Sequence, residues 1–141
     1  MLVSGADVAE TRKMRMQRML LAIAAVIETL AGLGLILMPD ATMQLLFGGR
    51  PDRVGMMMGR VAGVALLALG VACWGARGDS GGEARAVTVR AITLYNAGAG
   101  ALLVLFAITG QAAGLGAWSA GLFHLALAAG FLASQRRLGS Q

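Results

Sequence analysis

Long apolar stretches alternate with short charged segments along this chain, and this pattern predicts its architecture. Four stretches, at about residues 19–38, 56–76, 91–109 and 113–134, contain mostly apolar and small side chains. Each is long enough, at about 1.5 Å per helical residue, to cross a hydrocarbon core of roughly 30 Å. The chain is therefore predicted to be an all-α, polytopic membrane protein: a four-transmembrane-helix bundle in which residues 1–141 form a single membrane domain.

The composition agrees with this interpretation. Hydrophobic residues make up 57% of the chain and charged residues 13%, whereas soluble domains contain about 25% charged residues. The single cysteine, Cys73, excludes a disulfide within one copy of this sequence. The net charge of +5 comes from basic residues that flank the apolar stretches. The expected partners of this charge are anionic lipid headgroups at the cytoplasmic face, and no nucleic acid.

The distribution of lysine and arginine predicts the orientation of the helices. Two basic residues, Arg50 and Arg53, lie in the link between the first two stretches. Nine would lie at the other side of a four-helix bundle: Arg12, Lys13, Arg15, Arg18, Arg77, Arg85, Arg90, Arg136 and Arg137. Because positively charged segments tend to stay in the cytoplasm, both termini are expected to be cytoplasmic.

The first link is predicted to contain a short interfacial helix. Pro39 ends the first apolar helix, and the carboxylate of Asp40 is expected to cap a new one. Residues 41–47 place apolar side chains at helical spacing before a Gly-Gly pair ends the segment. The second link is predicted as a flexible loop over residues 78–82, and the first ten residues of the chain are expected to be loosely ordered.

Five polar residues inside the apolar stretches are the candidates for chemistry. They are Glu28, Arg60, Tyr95, Asn96 and His124. Ionisable groups at this depth cost on the order of 3 kcal/mol on insertion scales, so they normally face the bundle interior and find partners. Counted along their helices, the five lie at comparable depths, with Arg60 nearer the outer side. A central polar cluster is therefore predicted.

Two interpretations of this cluster are open. In the structural one, Glu28 and Arg60 form an interhelical ion pair, while Asn96 and His124 make hydrogen bonds that fix the helix register. In the functional one, Glu28 and His124 exchange protons or hold the polar head of a lipophilic ligand such as a quinone. A third reading of Arg60 alone is that its side chain extends to the outer surface.

Other motifs are weaker. Two glycine pairs spaced four residues apart, Gly59 with Gly63 and Gly110 with Gly114, match a helix-packing pattern. Methionine thioethers suit Cu(I), but methionine is also an ordinary apolar filler, so no metal site is predicted. The methionines in question are Met38, Met43, Met56, Met57 and Met58. No catalytic triad or phosphate-binding loop is present, and no catalytic residue is assigned.

The order of these features resembles that of small bacterial four-helix membrane proteins of the DoxX-like type. The resemblance covers roughly residues 18–137. In chain order it consists of Glu28, Pro39-Asp40, Gly59-Arg60-Val61-Ala62-Gly63 followed by Ala65-Leu66-Leu67-Ala68-Leu69-Gly70, Tyr95-Asn96 and His124. It implies the four-helix fold and, for some members, an association with membrane oxidoreductases or quinone chemistry. It implies no catalytic residue. The expected location is a bacterial cytoplasmic (inner) membrane.

The leading functional hypothesis is a non-catalytic accessory or scaffolding subunit of a larger membrane complex. Helix faces rich in small residues are the main recognition surface of such a chain, so the expected partners are other membrane subunits or a second copy. One alternative is a lipophile- or quinone-binding, redox-associated module built around Glu28, Arg60, Tyr95 and His124. The other is a small proton-coupled transporter in which Glu28 is the coupling carboxylate.

Overall fold

The computed structural model describes residues 5–79, 82–112 and 114–136. In these residues it contains no strand and five helices: α1 (Gly5–Leu37), α2 (Pro39–Phe47), α3 (Arg53–Ala76), α4 (Glu83–Ile108) and α5 (Leu115–Arg136). The four helices other than α2 are long and apolar enough to cross a membrane. The prediction of an all-α, multi-pass membrane protein with a short helix between the first two spans is thereby confirmed. Three groups of predicted features lie outside the described residues: Ser80 and Gly81 of the loop, Ala113 of the fourth stretch and Arg137 of the basic tail.

The break between α1 and α2 follows from proline chemistry. Pro39 is the first residue of α2, and Met38 before it has φ −135° and ψ 58°, outside the helical region. A proline ring disfavours the helical conformation of the preceding residue, so α1 ends at Leu37. The prediction that Asp40 caps α2 is wrong: Met38 occupies the cap position without a side-chain hydrogen bond, and Asp40 lies inside the first turn. At the other end, Gly48 adopts φ 78° and its N–H binds the carbonyl oxygen of Gln44.

Aspartate carboxylates accept backbone N–H groups at the start of the two following helices. The Asp52 carboxylate accepts a 2.7 Å hydrogen bond from the N–H of Gly55 and begins α3. The Asp79 carboxylate accepts from the N–H groups of Gly82 and Arg85, at 3.1 and 3.2 Å, at the start of α4. Such bonds satisfy amide groups that have no partner in the first helical turn.

Helix α1 is longer than its apolar run predicts. The expectation that the first ten residues are loosely ordered is wrong from Gly5 onward, where α1 begins. The added segment is rich in good helix formers and has Asp7 in its first turn, which complements the positive helix start. The 33 residues of α1 span roughly 50 Å, so one end of this helix projects beyond a hydrocarbon core of roughly 30 Å.

The bundle consists of two helix pairs. Helix α1 packs mainly against α3, and α4 mainly against α5, while contacts between the pairs are fewer. Helix α2 touches α1, α3 and α5 at one end of the bundle, which we call the α2 end. The opposite end, with the start of α1, the α3–α4 link and the end of α5, we call the terminal end.

Small residues bring the helices of each pair together. Gly32 and Gly63 meet where α1 crosses α3: a Cβ added at either one would lie 2.7 Å from the carbonyl oxygen of the other. Gly100 and Gly121 have the same role between α4 and α5. Such close backbone approach is how membrane helices gain contact without a hydrophobic driving force.

The two predicted glycine pairs differ in how closely they pack. Gly59 and Gly63 are buried in α3, and Gly59 lies against Leu35 and Met43. Gly110 is different: it lies beyond the end of α4 with φ 72° and with open space around it, so its predicted role in helix packing is wrong. A glycine at this position ends the helix in the left-handed conformation. Gly114 does pack closely, but against the backbone of α2 near Leu45 and Leu46.

The apolar core lies toward the terminal end. It contains side chains from all four long helices: Leu21, Ala24, Ala25, Cys73, Ala76, Val89, Ile92 and Phe131. Elsewhere the long helices expose large apolar side chains, such as Val71 and Leu94, at the surface of the bundle. This arrangement suits a protein whose outer surface faces lipid rather than water.

Candidate functional site

The polar residues of the long helices meet between the two helix pairs. Glu28 projects from α1, Tyr95 and Asn96 from α4, and His124 from α5; we call these four the central cluster. Glu28 and Asn96 are 1% and 0% exposed, and Tyr95 and His124 are half-buried. The structure thus brings together four of the five residues that the sequence proposed for this cluster.

The face of α1 explains the position of Glu28. Buried residues recur along this helix at spacings of three and four: Gln17, Leu21, Ala24, Glu28, Gly32 and Leu35. Side chains at these spacings share one face of a helix. Glu28 therefore lies on the face that α1 turns toward the rest of the bundle.

Glu28 and Tyr95 interact between the two helix pairs. The Tyr95 hydroxyl and the Glu28 carboxyl group are electrostatic partners, which couples α1 to α4. Oε1 of Glu28 is buried and has no hydrogen-bond partner in the part of the chain that the structure describes. One carboxyl oxygen thus remains free to accept another donor.

Asn96 fixes the orientation of His124. The amide Nδ2 of Asn96 donates to the carbonyl oxygen of Ile92, one turn earlier in α4, at 2.8 Å. This bond leaves Oδ1 facing His124 Nδ1 at 2.7 Å. Because an amide oxygen only accepts, the proton of this hydrogen bond belongs to Nδ1 of the imidazole.

Aromatic contacts complete the cluster. The rings of Tyr95 and His124 meet edge to face, with centroids 5.6 Å apart and planes at 87°. Phe123 contacts the same imidazole, with centroids 6.4 Å apart. Polar and aromatic contacts therefore run without a break from Glu28 through Tyr95 to His124 and Asn96, across three helices.

Arg60 does not join the cluster. Its side chain is exposed at the surface of α3, whereas Oε1 of Glu28 is buried and has no partner among residues 5–79, 82–112 and 114–136. The ion pair with Glu28 was expected from the depth of Arg60 in the bundle. It does not form because of the way α3 is rotated about its own axis. Gly59 and Gly63 face α1, and this rotation turns the arginine toward the outside.

A second group of polar contacts lies nearer the terminal end and was missed by the sequence analysis. Gln17 of α1 donates to Ser134 Oγ of α5 at 3.3 Å, and Gln135 donates to Thr93 Oγ1 of α4 at 3.1 Å. Gln17 shares the buried face of α1 with Glu28, eleven residues earlier, so the spacing alone contained a signal for it.

Chemically, the central cluster offers one free carboxyl oxygen, a phenol and an imidazole. These groups accept, donate and relay protons, and they hold the facing helices at a fixed register. Among the described residues, no three His, Cys, Asp or Glu side chains are grouped so that they could hold a metal ion. Comparisons with protein families, characterised proteins and solved structures find no match for this chain.

Proposed function

We propose that this chain is a non-catalytic accessory subunit that packs against a helix of another membrane protein through the outer face of α3. The observation behind this proposal is the position of Arg60. Its side chain is exposed, in a helix that is long and apolar enough to span the membrane. Its exposed neighbours on α3 include Met57, Val61 and Val64, which are 60–62% exposed.

The energetic argument concerns an arginine facing lipid. Arg60 lies seven residues, or roughly 10 Å, from the start of α3. A charged side chain at the centre of a helix costs about 2.5–3.5 kcal/mol on insertion scales, and a shallower one costs less because it reaches toward the interface. A carboxylate on a partner helix would offset this cost. The valines and small residues around Arg60 would allow close packing.

The interior of the bundle supports a structural role for the central cluster. Glu28 and Asn96 are almost fully buried, and the cluster joins α1, α4 and α5. Interhelical hydrogen bonds of this kind define packing in lipid, where apolar contacts alone are weakly specific. In this proposal the cluster maintains the shape of the subunit, and recognition takes place on its outside.

Extraction of the protein from its own membrane in a mild detergent, followed by native mass spectrometry, tests the proposal. Larger subunits are expected at a fixed ratio with the wild-type chain. Arg60→Leu should release them, whereas Arg53→Leu, a change at an exposed arginine seven residues away in the same helix, should retain them. A wild-type chain found only as a monomer or homodimer, or a complex that survives Arg60→Leu, would contradict the accessory role.

A second candidate function rests on the free oxygen of Glu28. Within the described residues, Oε1 is buried without a partner beside the phenol of Tyr95, and this favours a module that binds the polar head of a quinone or another lipophile. In the same spectra, a defined lipophilic adduct that Glu28→Gln removes would favour this module over the accessory subunit. Adduct binding that changes steeply with pH would extend this candidate function to proton-coupled transport, since the Glu28 carboxylate would then couple proton binding to ligand binding.

The proposed location is a bacterial cytoplasmic membrane with both termini in the cytoplasm. The basic residues at the terminal end support this orientation, since positively charged segments flanking spans tend to stay inside. The resemblance to DoxX-like proteins, on which the bacterial origin depends, stays a prediction.

A further inference from the structure

A cavity at the terminal end of the bundle is distinct from the central cluster. Its volume is about 390 Å³, and its walls come from α1, α4, α5 and Gly82. Small-molecule sites commonly have volumes of about 300–1,000 Å³. The charged and amide side chains that line it are Lys13, Arg85, Arg90, Glu10, Gln17 and Gln135. With three cations, one carboxylate and two amide donors, the lining suits an anion.

Arg85 is the most informative of these residues. Its side chain is 2% exposed, and Nη2 donates to the carbonyl oxygen of Arg77 at 3.2 Å. The other two donor atoms, Nε and Nη1, are buried and have no hydrogen-bond partner among the described residues. Buried charged donors are normally paired, so this guanidinium lacks the acceptor that its environment calls for.

Asp79, six residues before Arg85 in the chain, does not supply that acceptor. Its two carboxylate oxygens accept the backbone N–H groups of Gly82 and Arg85 at the start of α4. With Nε and Nη1 free, the guanidinium can still donate charge-assisted hydrogen bonds to more than one oxygen of a phosphate or carboxylate. The ligand that fits is therefore an oxyanion with at least two free oxygens.

The level of the cavity in the membrane points to a lipid as the source of this oxyanion. Arg77, whose backbone carbonyl accepts the hydrogen bond from Arg85, has its guanidinium 3.4 Å from the centre of the Trp74 ring. Tryptophan and arginine are typical of the headgroup region. The apolar run of α1 begins at Met19, two residues after the lining residue Gln17.

An acyl chain would also find a surface beside the cavity. Leu94 follows the lining residue Arg90 by one turn on the same face of α4 and is 76% exposed. A headgroup held by Arg90 would thus place its tails along an apolar strip of α4. A free phosphate ion would make no use of this strip.

We propose that this cavity binds the phosphate group of an anionic phospholipid, with Arg85 donating to the phosphate oxygens and Lys13 and Arg90 adding positive charge. Basic cavities between membrane helices on the cytoplasmic side recognise lipid headgroups in this way. Among the described residues, α3 contributes none of the lining. The proposal is therefore independent of the partner at Arg60.

The test uses the delipidated full-length protein in a neutral detergent, titrated with phosphatidylglycerol or phosphatidylcholine and followed by native mass spectrometry. Lys13→Gln/Arg90→Gln is expected to weaken phosphatidylglycerol binding about tenfold, equivalent to about 1.4 kcal/mol. Arg12→Gln/Arg15→Gln is the matched control. It removes the same charge from exposed residues of α1 that do not line the cavity, and its affinity should stay near that of the wild type.

The other outcomes of this experiment also test the proposed lipid site. An equal loss in both double variants would mean general attraction to surface charge and would overturn the site. So would equal binding of the two lipids by the wild-type protein. Inorganic phosphate is the third ligand: if it binds the wild type as tightly as phosphatidylglycerol, the lipid assignment fails, because the tails then contribute nothing. Weak competition by inorganic phosphate, lost in Lys13→Gln/Arg90→Gln, supports the proposal.

Discussion

Asn96 determines the geometry of the central cluster because its two amide atoms have different tasks. Nδ2 is held by the carbonyl oxygen of Ile92 in its own helix, so only an acceptor is presented to α5. His124 meets that acceptor with Nδ1. The contact between α4 and α5 at this level is thus specific in both distance and direction, unlike the contacts between apolar side chains around it.

A double-mutant cycle measures this contact. Asn96→Ala and His124→Ala are each expected to destabilise the bundle, and the double variant should lose less than the sum of the two. Interhelical hydrogen bonds in membrane proteins contribute about 0.6 kcal/mol on average and up to about 1.7 kcal/mol, so the coupling should fall in this range. The measurement is unfolding in detergent micelles. Strictly additive losses would show that the two side chains act separately.

The position of each residue along its helix axis was predictable from the sequence, but the rotation of each helix about that axis was not. The depth of Glu28 and His124 follows from counting residues, because every helical residue advances the chain by about 1.5 Å. Arg60 shows the limit of this counting. Its depth allowed a pairing with Glu28, but α3 is apolar and small on most of its surface, so no polar stripe indicated which face turned inward.

At the scale of helices, two kinds of contact have separate places. Glycines pack the helices within each pair, as Gly32 and Gly63 do between α1 and α3. Polar side chains join one pair to the other, as in the hydrogen bond from Gln17 to Ser134. Backbone contact gives each pair its tight fit, whereas the hydrogen bonds select the register at which the pairs meet.

The Gly63→Ala substitution tests the first kind of contact. The new Cβ would lie 2.7 Å from the carbonyl oxygen of Gly32, and because this atom is backbone, no side-chain rotation relieves the clash. The expected cost is about 1–3 kcal/mol, typical of overpacking in a close-packed interior. Gly75→Ala is the control in the same helix, since its Cβ would meet nothing within 4 Å. Comparable unfolding midpoints for the two variants in detergent would contradict tight packing at this crossing.

At the scale of the whole molecule, features set by local sequence were predictable, and the pairing of the helices was not. The number of spanning helices follows from the length of each apolar run, and the α1–α2 break follows from Pro39 alone. The pairing of α1 with α3 and of α4 with α5 had no such signal. Small residues are spread over all the helices, so many crossings are sterically allowed, and only the assembled bundle distinguishes Gly63, which packs, from Gly110, which ends a helix.

The orientation of the bundle also belongs to this scale, and single cysteines introduced into the Cys73→Ser chain would determine it. Gly49, in the α2–α3 link, and Gly78, in the α3–α4 link, are both exposed, and a new side chain at either would fit without a clash. Intact cells treated with a membrane-impermeant maleimide should label Gly49→Cys, while Gly78→Cys should react only after the membrane is opened. The reason is the bias of nine lysines and arginines against two across the membrane. The opposite pattern would reverse the orientation and move the cavity around Arg85 to the outer leaflet, where its lipid would have to come from a different pool. Labelling of both cysteines in intact cells would mean that the chain inserts both ways.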